Sequence, residues 1–145
     1  MIYGVAAVLC WMAALSYIDI RYRRLPNWLT LPAAAVVVAV AVFDRSPPMV
    51  VGAAGLAGVY LVAHLLSPRA MGAGDVKLAF STGGLAGACG LDAWFVAAIG
   101  APLFTGLIGV LLLARGRRGV PVPHGPSMCL ATALAVGLFT LAPGI

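Results

Sequence analysis

Long apolar runs separated by short polar breaks are the feature that most limits how this chain can fold. Of its 145 residues, 63% are hydrophobic and only 9% are charged, whereas charged residues make up about 25% of a typical soluble domain. A soluble domain of this length has too small an interior to bury so much apolar surface, so lipid must cover the rest. We therefore expect an all-α, multi-pass membrane protein in which residues 1–145 form a single domain.

The breaks divide the chain into six candidate helices. Polar or helix-terminating residues fall at 45–48, 67–69 and 115–119. Gly83 and Gly87, on successive turns of the fourth candidate, offer a small-residue surface for close packing against a neighbour. Each helix is near the ~17–25 residues that cross the hydrocarbon core, with the fourth and sixth marginal. The candidate helices span 2–18, 25–43, 49–66, 76–91, 93–114 and 126–141.

The basic residues predict how these helices cross the membrane. With six crossings, the loops after helices one, three and five hold eight of the nine Lys and Arg residues, and the other side holds Arg45 alone. If the fourth segment were re-entrant, the split would be five to four, which fits the positive-inside rule less well. We therefore expect both termini on the non-cytoplasmic side. We also expect the first helix to be a retained anchor, because no basic segment precedes it.

Acidic residues are scarce, and two of them lie at the edges of apolar runs. The chain has four Asp and no Glu; Asp19 opens the segment DIRYRRLPN (19–27), and Asp75 lies in GAGDVK (72–77). Taken singly, Asp19 is equally well explained as the ion-pair partner of a following Arg, and Asp75 as a helix N-cap. The topology, however, places both on the cytoplasmic face. Two facing carboxylates can share a proton, so that one activates water while the other polarises a carbonyl. We expect this chemistry to use neither a metal nor a cofactor.

The residues around Asp75 each have two interpretations. Gly72 and Gly74 lack Cβ atoms, which permits unusual dihedral angles and the close approach of a substrate backbone. The alternative is a flexible turn that precedes a helix. Lys77 either extends to phosphate headgroups, the interpretation we favour, or modulates Asp75.

Three segments, in order along the chain, resemble the motifs of the type IV prepilin peptidases. GAGDVK (72–77) is similar to that family's GxGDxK signature, and the stretch from Asp19 to LPN (25–27) resembles its first aspartate motif. VPHGPS (122–127) resembles its late Pro-x-Gly-Pro segment. The resemblance implies that Asp19 and Asp75 are the catalytic pair of a GxGD aspartyl protease. It also implies site-shaping or substrate-binding residues around that pair, namely Gly72, Gly74, Lys77, Pro26, Asn27, Gly125 and Pro126.

The chain departs from the longer members of that family. Those members carry an extra cytoplasmic region with paired CxxC motifs, associated with N-methylation of the trimmed pilin, whereas the three cysteines here form no CxxC pair. The chain therefore resembles the short, peptidase-only form found with Flp/Tad-type pilus systems, and we expect no methyltransferase or other soluble domain. His124 stands where the family more often has an aromatic or apolar residue, and we expect it to be structural or to face headgroups. His64 is expected to be packed or interfacial, and Asp44 and Asp92 to be solvated in the outward loops.

These observations predict an intramembrane aspartyl endopeptidase of the bacterial cytoplasmic membrane. By resemblance, its substrate is a prepilin or pilin-like (Flp/Tad) precursor cleaved at the cytoplasmic face, with membrane lipid as the other partner. Nucleic acid is not expected, because the basic residues are divided among short loops. Two alternatives stay open. A small proton- or ion-coupled transporter would place its carboxylates deep within the spans, and a catalytically idle assembly protein would differ only in activity.

Overall fold

Six helices make up the protein in a computed structural model that describes residues 2–68 and 71–141. The described residues contain no strand, so the all-α prediction and the number of helices are confirmed. The helices are α1 (Ile2–Tyr22), α2 (Asn27–Phe43), α3 (Pro47–Leu66), α4 (Ala73–Ala88), α5 (Leu91–Ala114) and α6 (Gly125–Leu141).

The ends of the helices next to the two aspartates differ from the sequence prediction. α1 continues beyond residue 18 to Tyr22, so Asp19 lies inside its last turns. The helix stops where Arg23 adopts a left-handed conformation, with φ of 54°, as residues that close helices often do. α4 begins at Ala73, so Asp75 lies in its first turn instead of before it. Both carboxylates are therefore held by helical backbone.

The remaining differences in helix ends have local causes. Pro26 has an extended conformation and α2 begins only at Asn27. α3 begins at Pro47, in keeping with the ease with which proline occupies the first turn of a helix. Gly90, with φ of 112°, separates α4 from α5, and α5 then begins at Leu91, so that Asp92 lies in its first turn and not in a loop.

Within the part of the chain that the structure describes, three helices are long and apolar enough to cross a membrane. They are Gly4–Tyr22 within α1, all of α3 and all of α5. α2 and α6 are apolar but shorter, with 17 residues each, which corresponds to about 25 Å of helix against a hydrocarbon core of ~30 Å. The prediction of six crossings with outward termini therefore remains a prediction for α2, α4 and α6.

α4 lies at the centre of the bundle, which explains its low apolar content. It contacts α2, α3, α5 and α6, and eight of its sixteen residues are buried. Its closest neighbour is α3, because a Cβ atom added at Gly83 would lie 2.5 Å from the Gly52 carbonyl oxygen, and one added at Gly87 would lie 2.6 Å from that of Pro48. The predicted small-residue surface is confirmed. Protein, rather than lipid, surrounds this helix.

The fold brings the C-terminal end of α1 to the N-terminal ends of α4 and α6. α1 packs against α6, and α6 also packs against α4 and α5. Leu15 of α1, Leu78 of α4 and Met128 of α6 are fully buried in one cluster beneath this end. A well-packed apolar layer therefore supports the three helix ends that carry the sequence motifs.

Candidate active site

Asp19 is buried and is held by the first residue of α6. Its side chain is 7% exposed, and its Oδ2 accepts a 3.0 Å hydrogen bond from the buried backbone N–H of Gly125. Arg21 and Arg23 are exposed at the surface, so the partner of Asp19 is this amide and not a neighbouring guanidinium. The amide belongs to the N-terminus of α6, the positive end of the helix dipole, which favours an adjacent carboxylate.

Asp75 is partly buried and is held in a similar way by its own turn. Its Oδ2 accepts a 3.1 Å hydrogen bond from the N–H of Gly72, and its own N–H donates to the Gly72 carbonyl at 3.1 Å. The N-cap of α4 is therefore Gly72 and not Asp75, which is the third helical residue and accepts the N-cap's N–H with its side chain. The interpretation of Asp75 as the N-cap is wrong, although its side chain does help to cap the helix. The hydrogen bond to Gly72 also holds the Asp75 carboxylate at the end of the helix bundle where Asp19 lies.

Gly125, and less strictly Gly72, leaves room for the carboxylate that its amide holds. A Cβ atom at Gly125 would lie 2.7 Å from Asp19 Oδ2, and one at Gly72 would lie 3.1 Å from Asp75 Oδ2. Contacts under about 3.0 Å are not tolerated without movement, and those up to 3.4 Å are tight. Glycine therefore allows each backbone amide to approach its carboxylate closely.

Two further contacts join the first motif to the second. A Cβ atom at Gly74 would lie 2.9 Å from Cβ of Leu25, so the space at this glycine is used by the chain's own side chain and not by a substrate. Lys77 Nζ donates a 2.7 Å hydrogen bond to Oδ1 of Asn27, a contact that neither interpretation of Lys77 anticipated. The loop after α1 is thus attached to the first turns of α4.

The two carboxylates are brought together by these contacts. The charge of Asp19 acts on Asp75, although the two residues belong to motifs far apart in the sequence. Among the described residues, the hydrogen bonds to each carboxylate involve Oδ2, which leaves Oδ1 of each for a water or a substrate. Such a pair can share one proton, since two adjacent like charges resist ionising together.

The two motif prolines set the geometry of helix starts. Pro26, in extended conformation, precedes α2, and its carbonyl accepts hydrogen bonds from Leu29 and Thr30 of the first turn. Pro126 is the second residue of α6, where its lack of an N–H costs no helical hydrogen bond. The structure therefore shows both prolines fixing how a helix begins; a role in shaping the site stays a prediction.

A partly buried polar network beside the site was not predicted from the sequence. His124 Nδ1 lies 2.6 Å from Thr105 Oγ1, and His124 Nε2 lies 2.8 Å from the Tyr60 hydroxyl oxygen. The Thr105 hydroxyl donates to the Ala101 carbonyl, so it accepts from His124 Nδ1–H, and Nε2 in turn accepts from Tyr60. Burial lowers the pKa of His124, which favours this neutral form. The expected structural role of His124 is confirmed.

The network ties α3 and α5 to the segment that precedes Gly125. Met128 N–H donates to the His124 carbonyl, so His124 caps α6 immediately before the amide that holds Asp19. Tyr60 is 5% exposed and is close enough to Asp75 for that charge to act on it. The only sequence signal for Tyr60 and Thr105 is the rarity of hydroxyl groups in their apolar helices.

The other polar residues lie away from the site or serve the fold. His64 Nδ1 pairs with the Met71 carbonyl at 2.7 Å, as expected of a packed histidine. Asp44 and Asp92 are both exposed, in agreement with solvated positions. Asp44 follows the last residue of α2 and Asp92 lies in the first turn of α5, so both are at the end of the bundle that is farther from Asp19.

Comparison with known proteins shows the family to which the chain is related. The family model described as the type IV leader peptidase family matches residues 6–141. A protein of Xanthomonas campestris pv. campestris named "Prepilin leader peptidase/N-methyltransferase" is 30% identical over 89% of this chain and 47% of its own length. A protein of the same name from Dichelobacter nodosus is 34% identical over 88% of this chain and 46% of its own length. The chain spans about half the length of these curated relatives, and no solved structure is significantly similar to it.

Proposed function

Because the chain belongs to the type IV leader peptidase family, we propose that it is an aspartic endopeptidase that removes the leader from a prepilin or pilin-like (Flp/Tad) precursor. The observation that carries this proposal is the convergence of Asp19 and Asp75, each held by a glycine amide at the N-terminus of a helix. The names of the two relatives supply the class of substrate.

In the proposed reaction, Asp19 and Asp75 share one proton. The ionised carboxylate takes a proton from a water molecule, whose oxygen attacks the scissile carbonyl carbon, while the protonated carboxyl donates a hydrogen bond to the carbonyl oxygen. The tetrahedral intermediate then breaks its C–N bond. The leaving nitrogen receives the proton taken from water, so the dyad returns to its singly protonated state. All the proton transfers are supplied by two carboxylates and one water.

The burial of Asp19 favours this chemistry. A carboxylate in a site of low dielectric constant interacts strongly with charge that develops on the substrate, and its fixed hydrogen bond avoids reorganisation during the reaction. The Gly125 amide and the Tyr60–His124–Thr105 network hold that geometry in place. Since the site residues come from α1, α4 and α6, cleavage requires the whole bundle.

We place the site at the cytoplasmic face of a bacterial cytoplasmic membrane, with six crossings. Eight of the nine basic residues fall in the loops or adjoining helix turns that six crossings put on the side of Asp19 and Asp75, as the positive-inside rule requires of a cytoplasmic side. A reporter fused after Arg118 should behave as cytoplasmic, and one fused at Arg45 as external. An external Arg118 reporter would contradict this orientation without affecting the dyad.

Co-expression with a prepilin-type precursor tests the proposed activity. The mass of the precursor recovered from membranes should fall by the mass of its leader, and only when the enzyme is present. A precursor that keeps its leader with every pilin-like substrate from the same genome would contradict the assignment as a peptidase.

A further inference from the structure

A groove on the lipid-facing side of the bundle separates α1 from α2. Its volume is about 310 Å³; α1 and α2 form its walls, and Ser81 and Leu85 of α4 form its floor. α1 packs mainly against α6, and α2 mainly against α4, so the two walls are joined by little more than the hydrogen bond from Trp11 Nε1 to the Leu29 carbonyl. The lining is almost entirely apolar.

The groove runs along the bundle, between α1 and α2, on from the end at which the two aspartates lie. Trp11, on one wall, lies about 12 Å along the axis of α1 from Asp19, at 1.5 Å per residue, and about 80° around the helix from it. Ser81, on the floor, lies about 9 Å along α4 from Asp75 by the same measure. Trp11 and Ser81 are displaced from the aspartates in the same direction, because Asp19 lies near the C-terminal end of α1 and Asp75 near the N-terminal end of α4.

The groove also contains hydrogen-bonding capacity that the protein does not use. Ser81 is fully buried and its Oγ has no hydrogen-bond partner among the described residues, although a buried hydroxyl normally has one. On the α2 wall, Pro32 lies within the helix and has no N–H to complete the helical bond to the Trp28 carbonyl. An acyl chain has no polar atom for these groups, whereas a largely apolar helix can meet them with one Ser or Thr on its packed face, as helices in a membrane often do.

We propose that this groove, the α1–α2 groove, binds the apolar transmembrane stem of the precursor and so places its cleavage site between Asp19 and Asp75. The proposal rests on the proposed function. A precursor that is cut at the membrane boundary has its leader on one side of the dyad and the first turns of its stem on the other side. The groove begins on the side of the stem. The volume admits side chains from one face of a helix, so the stem lies along the groove instead of entering it.

The test fills the groove and compares two substrates. Val36 lines the α1–α2 groove, and its side chain is 60% exposed. Val51 is 70% exposed and lines a second apolar groove, of about 450 Å³, at the N-terminal end of α3. For the full precursor, Val36→Phe should raise KM at least about fivefold, the lower end of overpacking effects. For a soluble peptide with the leader and cleavage site but no stem, it should stay within about twofold of wild type. Val51→Phe is the matched control and should leave both substrates unaffected.

A crosslinking measurement covers the case in which Val36→Phe lowers the amount of folded protein. Benzoylphenylalanine at Val36, in the Asp75→Asn background, should crosslink to the co-expressed precursor through its stem, and the same probe at Val51 should not. Crosslinks from Val36 only to lipid or to a second copy of this chain would overturn the proposal, as would equal effects of the two Phe variants on the full precursor. If wild-type protein cleaves neither substrate, the proposed function itself fails; if it cleaves both, only the groove is at issue.

Discussion

Gly125→Ala should reduce activity severely and leave the fold almost unchanged. The added Cβ would lie 2.7 Å from Asp19 Oδ2 and 3.2 Å from its Cγ. Gly125 does not have a positive φ, so alanine fits the backbone, and the crowding is relieved when the short Asp19 side chain rotates away. That rotation breaks the bond to the Gly125 amide. A hydrogen bond to a charged group contributes about 1.5–3 kcal/mol, which corresponds to a loss of about 10- to 150-fold in kcat if the bond is present in the transition state.

Gly137→Ala, in the same helix, is the matched control. Nothing lies within 4 Å of a Cβ atom at Gly137, so this substitution should leave activity intact and stabilise α6 by up to about 1 kcal/mol through helix propensity. The assay measures initial rates of leader removal in detergent micelles, with thermal melting of each variant as the check on folding. If Gly125→Ala enzyme melts like wild type and cleaves within twofold of it, the amide of Gly125 does not position Asp19.

Four other perturbations have defined outcomes. Lys77→Met and Asn27→Leu remove the same exposed hydrogen bond, so a double-mutant cycle of melting free energies should give a coupling of about 0.2–1 kcal/mol; strict additivity would refute the link. Gly83→Ala places a Cβ 2.5 Å from backbone oxygen and should destabilise by about 1–3 kcal/mol, whereas Gly58→Ala, with open space around it, should not. Because burial lowers the pKa of His124 below its ordinary 6.5, the unfolded chain takes up this proton first, and stability should fall as pH drops below about 6.5. His124→Gln keeps one donor and one acceptor without titrating, so a fall as steep as that of wild type would assign the effect to other groups. EDTA should leave cleavage unaffected, and loss with recovery on adding a divalent metal would indicate metal hydrolysis.

The parts of the site that sequence could predict are those with a local chemical signature. Asp19 and Asp75 were identifiable because carboxylates are rare in this chain and costly in a membrane, and loop charges placed both at one end of the bundle. Glycine in the fourth helix predicted its close packing, which the contact between Gly83 and Gly52 confirms. In each case the residue type differs from a background of Ala, Val and Leu.

The parts that could not be predicted depend on how each helix is rotated about its axis. α3 and α5 are apolar on all sides, so their sequences do not indicate which side faces the bundle. The contacts of Tyr60 and Thr105 with His124 arise only from that rotation. The contact of Gly74 with Leu25 could not be predicted either, since a missing Cβ in a sequence gives no indication of which side chain lies against it.

Removal of one carboxylate at a time tests the central claim, that Asp19 and Asp75 act as one catalytic unit. Asn has nearly the shape of Asp but can neither accept the proton of water nor hold the shared proton. Asp19→Asn and Asp75→Asn should each reduce precursor cleavage to background, with expression and membrane insertion unchanged, and the double variant should be no worse than either single one. Asp44→Asn and Asp92→Asn, at exposed positions, should cleave like wild type. Substantial cleavage by the Asp19→Asn or the Asp75→Asn enzyme would contradict the dyad.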